Sequence, residues 1–453
     1  MLNNMLNSVN GLKVALHNLG CKVNSYEMDV MGQKLKDAGA EIVPFTEKAD
    51  IYIINTCTVT NIADRKSHQM LHRAKKENPE AIVVAVGCYV ETGIDGVKKD
   101  ESIDLAIGNN KKSEIVEILN AFLEARYDTD KTLGGSSIID INKTDVFEEM
   151  MLSELPEHTR AYIKIQDGCN QFCSYCVIPY ARGRVRSREM GEILAEIKGL
   201  IQKGCKEVVL TGIHISSYGV DKGEPALIDL VESINELSGI ERIRLGSLEP
   251  RIITPENTKR LAAVEKLCPH FHLSLQSGCD SVLKRMNRHY TADEFREGVR
   301  LLREAFDRPA ITTDVIVGFP GETEEEFEEC RKFVEEINFY EMHVFKYSPR
   351  KGTVAAGMKD QLTDREKTLR SDVLIKLTEQ QSEVYRNSFI GEKVGILWED
   401  MEEIKGRNYM IGHTDRYVRV AVCEGDERSS GAVSGQITTE LITGFLNSDT
   451  LLI

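Results

Sequence analysis

Short apolar runs alternate with amphipathic stretches along the first part of the chain. Leu12–Leu16, Ile51–Ile54, Ile82–Val86 and Leu105–Ile107 are the runs, and Tyr26–Ala38, Ala63–Lys76 and Glu114–Glu124 carry a helical period between them. Runs this short, apolar throughout and spaced by helices, predict buried strands in βαβ units, hence a parallel sheet. Residues 1–126 therefore read as a small doubly wound α/β domain. Residues 127–158, with Gly134-Gly135-Ser136-Ser137 and mixed polarity, read as a connection carrying one strand at Ile138–Ile141.

The alternation resumes over residues 159–360. Strands are expected at Ala161–Gln166, Glu207–Thr211, Arg242–Leu245, Phe271–Leu275, Ile311–Val317 and Glu341–Tyr347, with helical patterns between them such as Glu324–Ile337. Six βα units are too few for a closed eightfold barrel, so the expected form is a partial (β/α)6 barrel with its chemistry at the carboxyl ends of the strands. Residues 361–382 read as a helical connection, the helix running over Arg365–Tyr385. Residues 383–453 read as a small antiparallel β-barrel with strands at Lys393–Trp398, Tyr417–Val422, Ala432–Thr438 and Leu451–Ile453.

Composition narrows the class. With 41% hydrophobic and 28% charged residues, a chain of 453 residues is able to bury cores in about three domains. No stretch approaches the ~20 apolar residues of a membrane helix. The opening MLNNMLNSVN lacks the basic start and apolar run of a secretory signal, so a soluble, cytoplasmic protein without a membrane partner is expected. Eleven cysteines, an odd number, fit metal or catalytic chemistry better than a disulfide framework in a reducing compartment. A net charge of −15 argues against a generally adhesive nucleic-acid binder, so any RNA contact must come from a local basic surface.

The cysteines that group carry the sharpest chemistry. Cys169, Cys173 and Cys176 form a C-x3-C-x2-C run directly after the first strand of the central segment. Three thiolates on one tight loop suit three irons of a 4Fe–4S cluster and leave the fourth iron open to chelate S-adenosylmethionine (SAM). A structural zinc site, the alternative, uses four closed ligands and usually two separated C-x2-C pairs, and no second pair follows. Cys21, Cys57 and Cys88 each fall just past a predicted strand end, where a parallel sheet collects its ligands on one rim. Spacing alone leaves that triad open between a second cluster and ordinary core cysteines. Cys205, Cys268, Cys279, Cys330 and Cys423 show no grouping and read as small buried hydrophobes.

The C-x3-C-x2-C run identifies the chain as a member of the radical SAM superfamily. Leu19-Gly20-Cys21-Lys22-Val23-Asn24-Ser25-Tyr26-Glu27, Asn55-Thr56-Cys57-Thr58-Val59-Thr60 and Gly87-Cys88-Tyr89 resemble the three cysteine motifs of the methylthiotransferases. The resemblance covers nearly the whole chain. It implies an N-terminal domain holding an auxiliary 4Fe–4S cluster on Cys21, Cys57 and Cys88, a central radical SAM barrel and a C-terminal TRAM domain. Asn18 to Asn24, Gln166-Asp167-Gly168-Cys169-Asn170, Ile178-Pro179-Tyr180-Ala181-Arg182-Gly183 and Tyr347 to Thr353 resemble the branch that modifies N6-threonylcarbamoyladenosine in tRNA. The implied product is 2-methylthio-N6-threonylcarbamoyladenosine. The implied partners are the anticodon stem-loop of tRNA, SAM, a reductant protein such as a flavodoxin or ferredoxin, and a sulfur source. The Cys169 set would cleave SAM reductively and the Cys21 set would carry the sulfur.

Polar groups at the barrel strand ends are candidates for holding SAM: Thr211-Gly212, Ser247-Leu248-Glu249, Gln276-Ser277-Gly278 and Asp314, which opens a stretch resembling the superfamily's late glycine motif. Each also has a plain structural reading as a turn or a buried acid. Arg182, Arg184, Arg186 and Arg188 alternate, which on an extended chain places them on one face fit for phosphates, with Arg285, Arg288 and His289 a weaker second set. From Gln381 onward seven Lys or Arg stand against twelve Asp or Glu, so the C-terminal segment is no strong nonspecific RNA binder. Two alternatives remain: the same chemistry on isopentenyladenosine in tRNA or a ribosomal-protein aspartate, or an iron–sulfur RNA-binding or redox-sensing protein without turnover.

Overall fold

A computed structural model describes residues 8–97, 99–126, 135–155, 159–426, 428 and 431–453. The opening residues 1–7 and residues 127–134 and 156–158 of the expected connection lie outside the described ones. Six parallel strands make the first sheet: β1 (Lys13–Asn18), β2 (Glu41–Val43), β3 (Ile51–Thr56), β4 (Ile82–Gly87), β5 (Leu105–Ile107) and β6 (Gly135–Ser137), in the order β2-β1-β3-β4-β5-β6. β3 and β4 are buried along their whole length, as their unbroken apolar runs require. The strand expected at Ile138–Ile141 lies instead at β6 and extends this sheet, Leu105 pairing with Gly135. There a side chain would strike Leu105 Cδ1 at 2.8 Å, so glycine lets β6 approach β5 and fixes the register.

The central strands form two parallel triplets. β7 (Ala161–Lys164), β10 (Glu207–Thr211) and β11 (Arg242–Leu245) make one; β12 (His270–His272), β13 (Ala310–Val317) and β14 (Glu341–Lys346) the other. Isolated bridges Ile243–Leu267 and Leu248–Leu273 join them into a six-stranded curved wall. The pleat sends Val208, Leu210, Ile243, Leu245 and Phe271 out to the helices and the main core. It sends Glu207, Arg242, Arg244, His270, His272 and Asp314 into the lumen. A two-stranded ribbon of β8 (Gln166–Asp167) and β9 (Arg186–Ser187) clasps the base of the loop that carries Cys169.

A wall of six strands leaves a gap between β7 and β14, and the N-terminal unit covers it from both sides. Helix Lys22–Asp37 packs beside β7, where Lys164 Nζ lies 2.7 Å from Glu27 Oε1. On the far side Arg350, just after β14, donates to Thr58 Oγ1 at 2.7 Å, Asn61 Oδ1 at 2.7 Å and Asp64 Oδ2 at 2.6 Å.

Helix Asp364–Asn387, opened by a capping box between Thr363 and Glu366, leads to the C-terminal sheet. Its strands are β15 (Lys393–Ile404), β16 (Arg407–Thr414), β17 (Arg419–Cys423), β18 (Ile437–Leu441), β19 (Gly444–Asn447) and β20 (Thr450–Leu452), ordered β18-β15-β16-β17-β20-β19. The sheet is not purely antiparallel, since β17 and β20 run parallel. The strand expected at Ala432–Thr438 is β18, shifted toward the C-terminus because Gly435, at φ 80°, takes a turn. The turn between β17 and the end of β16 inserts Tyr417 into the amino-terminal end of the barrel. Its ring stacks on His413 at 4.7 Å and His270 at 5.3 Å, with Arg160 and Arg244 over it at 4.8 and 4.9 Å. Among the described residues no helix is long and apolar enough to cross a membrane.

Candidate functional site

Adjacent strands β1, β3 and β4 deliver Cys21, Cys57 and Cys88 to one rim. Cys21 caps helix Lys22–Asp37 and Cys88 begins helix Cys88–Thr92. Gly20, at φ 111°, holds the Cys21 loop so close to the second that an added Cβ would sit 3.2 Å from Cys57 Sγ. Asn24 ties the loops together by donating to Leu19 O at 2.7 Å and Thr56 O at 3.1 Å. The Cys57 thiol lies within electrostatic reach of both Cys21 and Cys88, and burial pushes it up to about 11. Cys21 is raised by burial as well.

The second thiol set sits on the loop after β8. Gly168, at φ 71°, allows the turn: a Cβ there would lie 1.8 Å from Arg184 O. Burial pushes Cys169 to about 11 and Cys176 to about 12, and Cys176 is in the field of both partners. Each set has one guanidinium on its sulfur. Arg182 Nε donates to Cys88 Sγ at 3.3 Å, and an Arg288 amine donates to Cys173 Sγ at 3.3 Å. Soft thiol donors in two groups of three, held close but not paired as disulfides, suit iron–sulfur clusters. An adjacent cation offsets the charge that thiolate ligation brings into a buried place.

A buried ion network locks the two sets together. Glu27 binds Lys112 by a short contact, Lys164 at 2.7 Å, and Arg182 at 2.7 and 3.0 Å. Asp167 binds Lys164 at 2.6 Å and Arg182 at 3.1 Å. Burial would raise the Glu27 carboxyl, but Arg182, Lys112 and Lys164 outweigh it and hold it well below the usual carboxylate range. None of these side chains exceeds 3% exposure, so the charges are compensated by one another and not by water.

This network corrects the reading of the alternating arginines. Arg182, Arg186 and Arg188 are buried, Arg188 against Glu196, and do not form a phosphate-binding face; only Arg184 is exposed, stacked over Phe172 at 4.4 Å. Arg182 ends a short helix, so the four residues never share one extended strand. Arg285 is likewise engaged, at 2.6 Å from Glu326, and Arg288 serves Cys173, leaving His289 exposed.

A cavity of about 200 Å³ lies where the thiol loops meet the barrel. Tyr175, Cys176 and Ile178 border it from the second loop, Val59 and Thr60 from the stretch after Cys57, and Gln276 and Asp314 from the strand ends. Gln276, at φ 66°, receives β13 through its N–H to Asp314 O at 2.9 Å. Thr211, Gly212 and Glu249 do not border this cavity: Thr211 is buried, Gly212 abuts Gln166, and Glu249 pairs with Arg251 at 3.2 Å. A larger pocket of about 390 Å³ near Arg303 and Tyr385 has no thiol in its lining.

Below the cavity the lumen is polar. His272 Nε2 lies 3.4 Å from Asp314, while its Nδ1 bonds Thr312 Oγ1 at 3.1 Å; His343 stands 6.0 Å away, ring to ring. Desolvation by the surrounding protein and the fields of Arg160 and Arg244 lower the Lys22 ammonium to about 8, although its side chain remains exposed. Lys112, Lys164, His272 and His343 were not legible as site residues, because nothing local marks them, and Glu27 entered only as the last residue of the Cys21 motif, without its partners.

A profile of the Radical SAM superfamily matches residues 163–334, and one described as "Uncharacterized protein family UPF0004" matches residues 13–108. The "Threonylcarbamoyladenosine tRNA methylthiotransferase MtaB" of Bacillus subtilis is 40% identical over 422 residues, 93% of this chain and 92% of its own. The protein of the same name from Aquifex aeolicus is 40% identical over 90% of this chain and 98% of that one. A "tRNA-2-methylthio-N(6)-dimethylallyladenosine synthase" of Clostridium tetani is 34% identical, covering 92% of each. Among solved structures, the radical S-adenosylmethionine methyltransferase TsrM from Kitasatospora setae superposes with a TM-score of 0.55 over 74% of this chain and 76% of that one. At 18% identity this is a likeness of fold.

Proposed function

The chain belongs to the radical SAM tRNA methylthiotransferases, and from that premise we propose that it converts N6-threonylcarbamoyladenosine beside the tRNA anticodon to its 2-methylthio derivative. The two relatives at 40% identity carry the threonylcarbamoyl name, against 34% for the dimethylallyl one, which favours this substrate. The reading includes two 4Fe–4S clusters, one on Cys169, Cys173 and Cys176, the other on Cys21, Cys57 and Cys88. It also includes a cytoplasmic setting, a flavodoxin- or ferredoxin-like reductant and a separate sulfur source.

The observation that carries it is the cavity walled at once by the Cys176 loop and by the residues after Cys57. When bound, such clusters supply the electron that splits SAM into methionine and a 5′-deoxyadenosyl radical, and a site for the transferred sulfur. A radical is needed because no side chain removes a proton from the C2–H of adenine at neutral pH. The chain's own residues do the positioning. Gln276 and Asp314 face the cavity as polar groups for the cofactor's ammonium or ribose hydroxyls. Arg182 and Arg288 hold the sulfur ligands, and the covered gap keeps bulk water from a reactive carbon radical.

Mass spectrometry of tRNA nucleosides from cells with and without the gene tests the proposal. Loss of the 2-methylthio nucleoside with accumulation of N6-threonylcarbamoyladenosine is expected. An unchanged profile in a strain with no redundant enzyme would refute it.

A further inference from the structure

Lys22 begins the helix after Cys21 with its side chain exposed, and it makes no hydrogen bond or ion pair among the described residues, although Arg160, Arg244 and Glu207 lie within electrostatic reach of it. Its neighbours are already matched. Arg160 takes Glu399 at 3.2 Å and Arg244 takes Glu207 at 2.7 Å, with Arg242 3.6 Å from the same carboxylate. Glu207 is thus occupied by the guanidiniums, and His270, packed on Tyr417, brings no negative charge. An exposed ammonium left unpaired near Arg160 and Arg244 is open to an anion from outside the chain.

The position of Lys22 says where that anion would lie. It follows Cys21 directly and starts the helix that packs beside β7, so whatever it grips lies next to the first thiol set. In an adenine the C2 carbon and the N6 substituent belong to the same six-membered ring. Holding the end of the N6 substituent beside Cys21 therefore turns C2 toward the sulfur-bearing rim. The N6 threonylcarbamoyl group ends in a carboxylate, whereas a dimethylallyl group has no polar atom. His272 and His343, higher on the same lumen wall, are side chains of the kind that meet the carbamoyl oxygen and the threonyl hydroxyl.

We propose that Lys22 is the specificity-determining residue that pairs with the carboxylate of the N6 substituent. This rests on the substrate reading above. An apolar substituent there would strip water from an unpaired ammonium, a cost the site pays only for the wrong substrate.

The test compares holoenzyme affinities for anticodon stem-loops bearing N6-threonylcarbamoyladenosine, dimethylallyladenosine or plain adenosine. Wild type is expected to prefer the threonylcarbamoyl loop by roughly tenfold or more. Lys22→Gln is expected to lose that preference and Lys22→Arg to keep part of it, with iron content and melting curves verifying that both variants are folded and loaded. A Lys22→Gln enzyme that retains the full preference overturns the proposal. Product analysis of the wild type separates the two levels: if it methylthiolates only the dimethylallyl loop, the substrate reading falls and takes this inference with it.

Discussion

Replacing Glu27 by Gln tests whether the buried ion network fastens the N-terminal unit to the barrel. Glu27 and Asp167 together face Lys112, Lys164 and Arg182, so the change leaves three cations against one carboxylate. Asp167 still serves Lys164 and Arg182. Lys112 retains only Asn55 Oδ1, at 3.2 Å, and is fully buried. Breaking a buried pair from one side costs about 3–5 kcal/mol, a fall of roughly two to four powers of ten in the folded-to-unfolded ratio. Urea unfolding of the apoprotein by far-ultraviolet circular dichroism measures it. The single tryptophan, Trp398 in the C-terminal sheet, reports separately on a part of the chain remote from the change. Adding Lys112→Met should restore about 1 kcal/mol or more, because it removes the orphaned charge. A loss below about 1 kcal/mol for Glu27→Gln, or a double variant less stable than the single one, would refute the reasoning.

Three further outcomes follow from the same geometry. His214 is half-buried, with Arg288 nearby, and desolvation lowers its imidazole to about 4; because the unfolded chain protonates first, stability is full above pH 6.5 and falls by roughly 3 kcal/mol or less toward pH 4. His214→Asn should flatten that part of the pH–stability curve, and an unchanged slope would discount the histidine. Gly168→Ala forces a Cβ against Arg184 O and, on the proposed ligand set, is expected to lower iron content together with SAM-dependent 5′-deoxyadenosine formation; wild-type iron content would count against the turn's role. Arg350→Ala should cost about 2–3 kcal/mol locally and speed hydrogen exchange over residues 58–64, and unaltered exchange would show that this side of the gap needs no clasp.

The alternation of apolar runs and helices was enough to expect the parallel sheet, the six barrel strands and a separate C-terminal sheet, because buried parallel strands announce themselves locally. Glycine–cysteine pairs after strand ends were equally legible, since the turn chemistry and the thiol sit in one short stretch. The ion network was not: Glu27, Lys112 and Lys164 come from distant segments, and a charge in a sequence does not name its partner. The same blindness made Arg182, Arg186 and Arg188 look like a solvent face. β16 was missed because Arg407 to Thr414 mixes polar residues and glycine; its pairing with β15 is set by the Lys405-Gly406 turn, at φ 50° and 77°.

Tyr417 fills the amino-terminal end of the barrel. With its ring wedged among Arg160, Arg244, His270 and His413, it stoppers that end and leaves the mouth where the thiol loops lie as the open one among the described residues. A tRNA seated on that mouth, as the proposed function requires, would cover the exit behind it. On the proposed function, SAM would then enter before the RNA docks, and methionine and 5′-deoxyadenosine would leave after it lifts away. Steady-state kinetics should accordingly show compulsory order, with the RNA last on and first off.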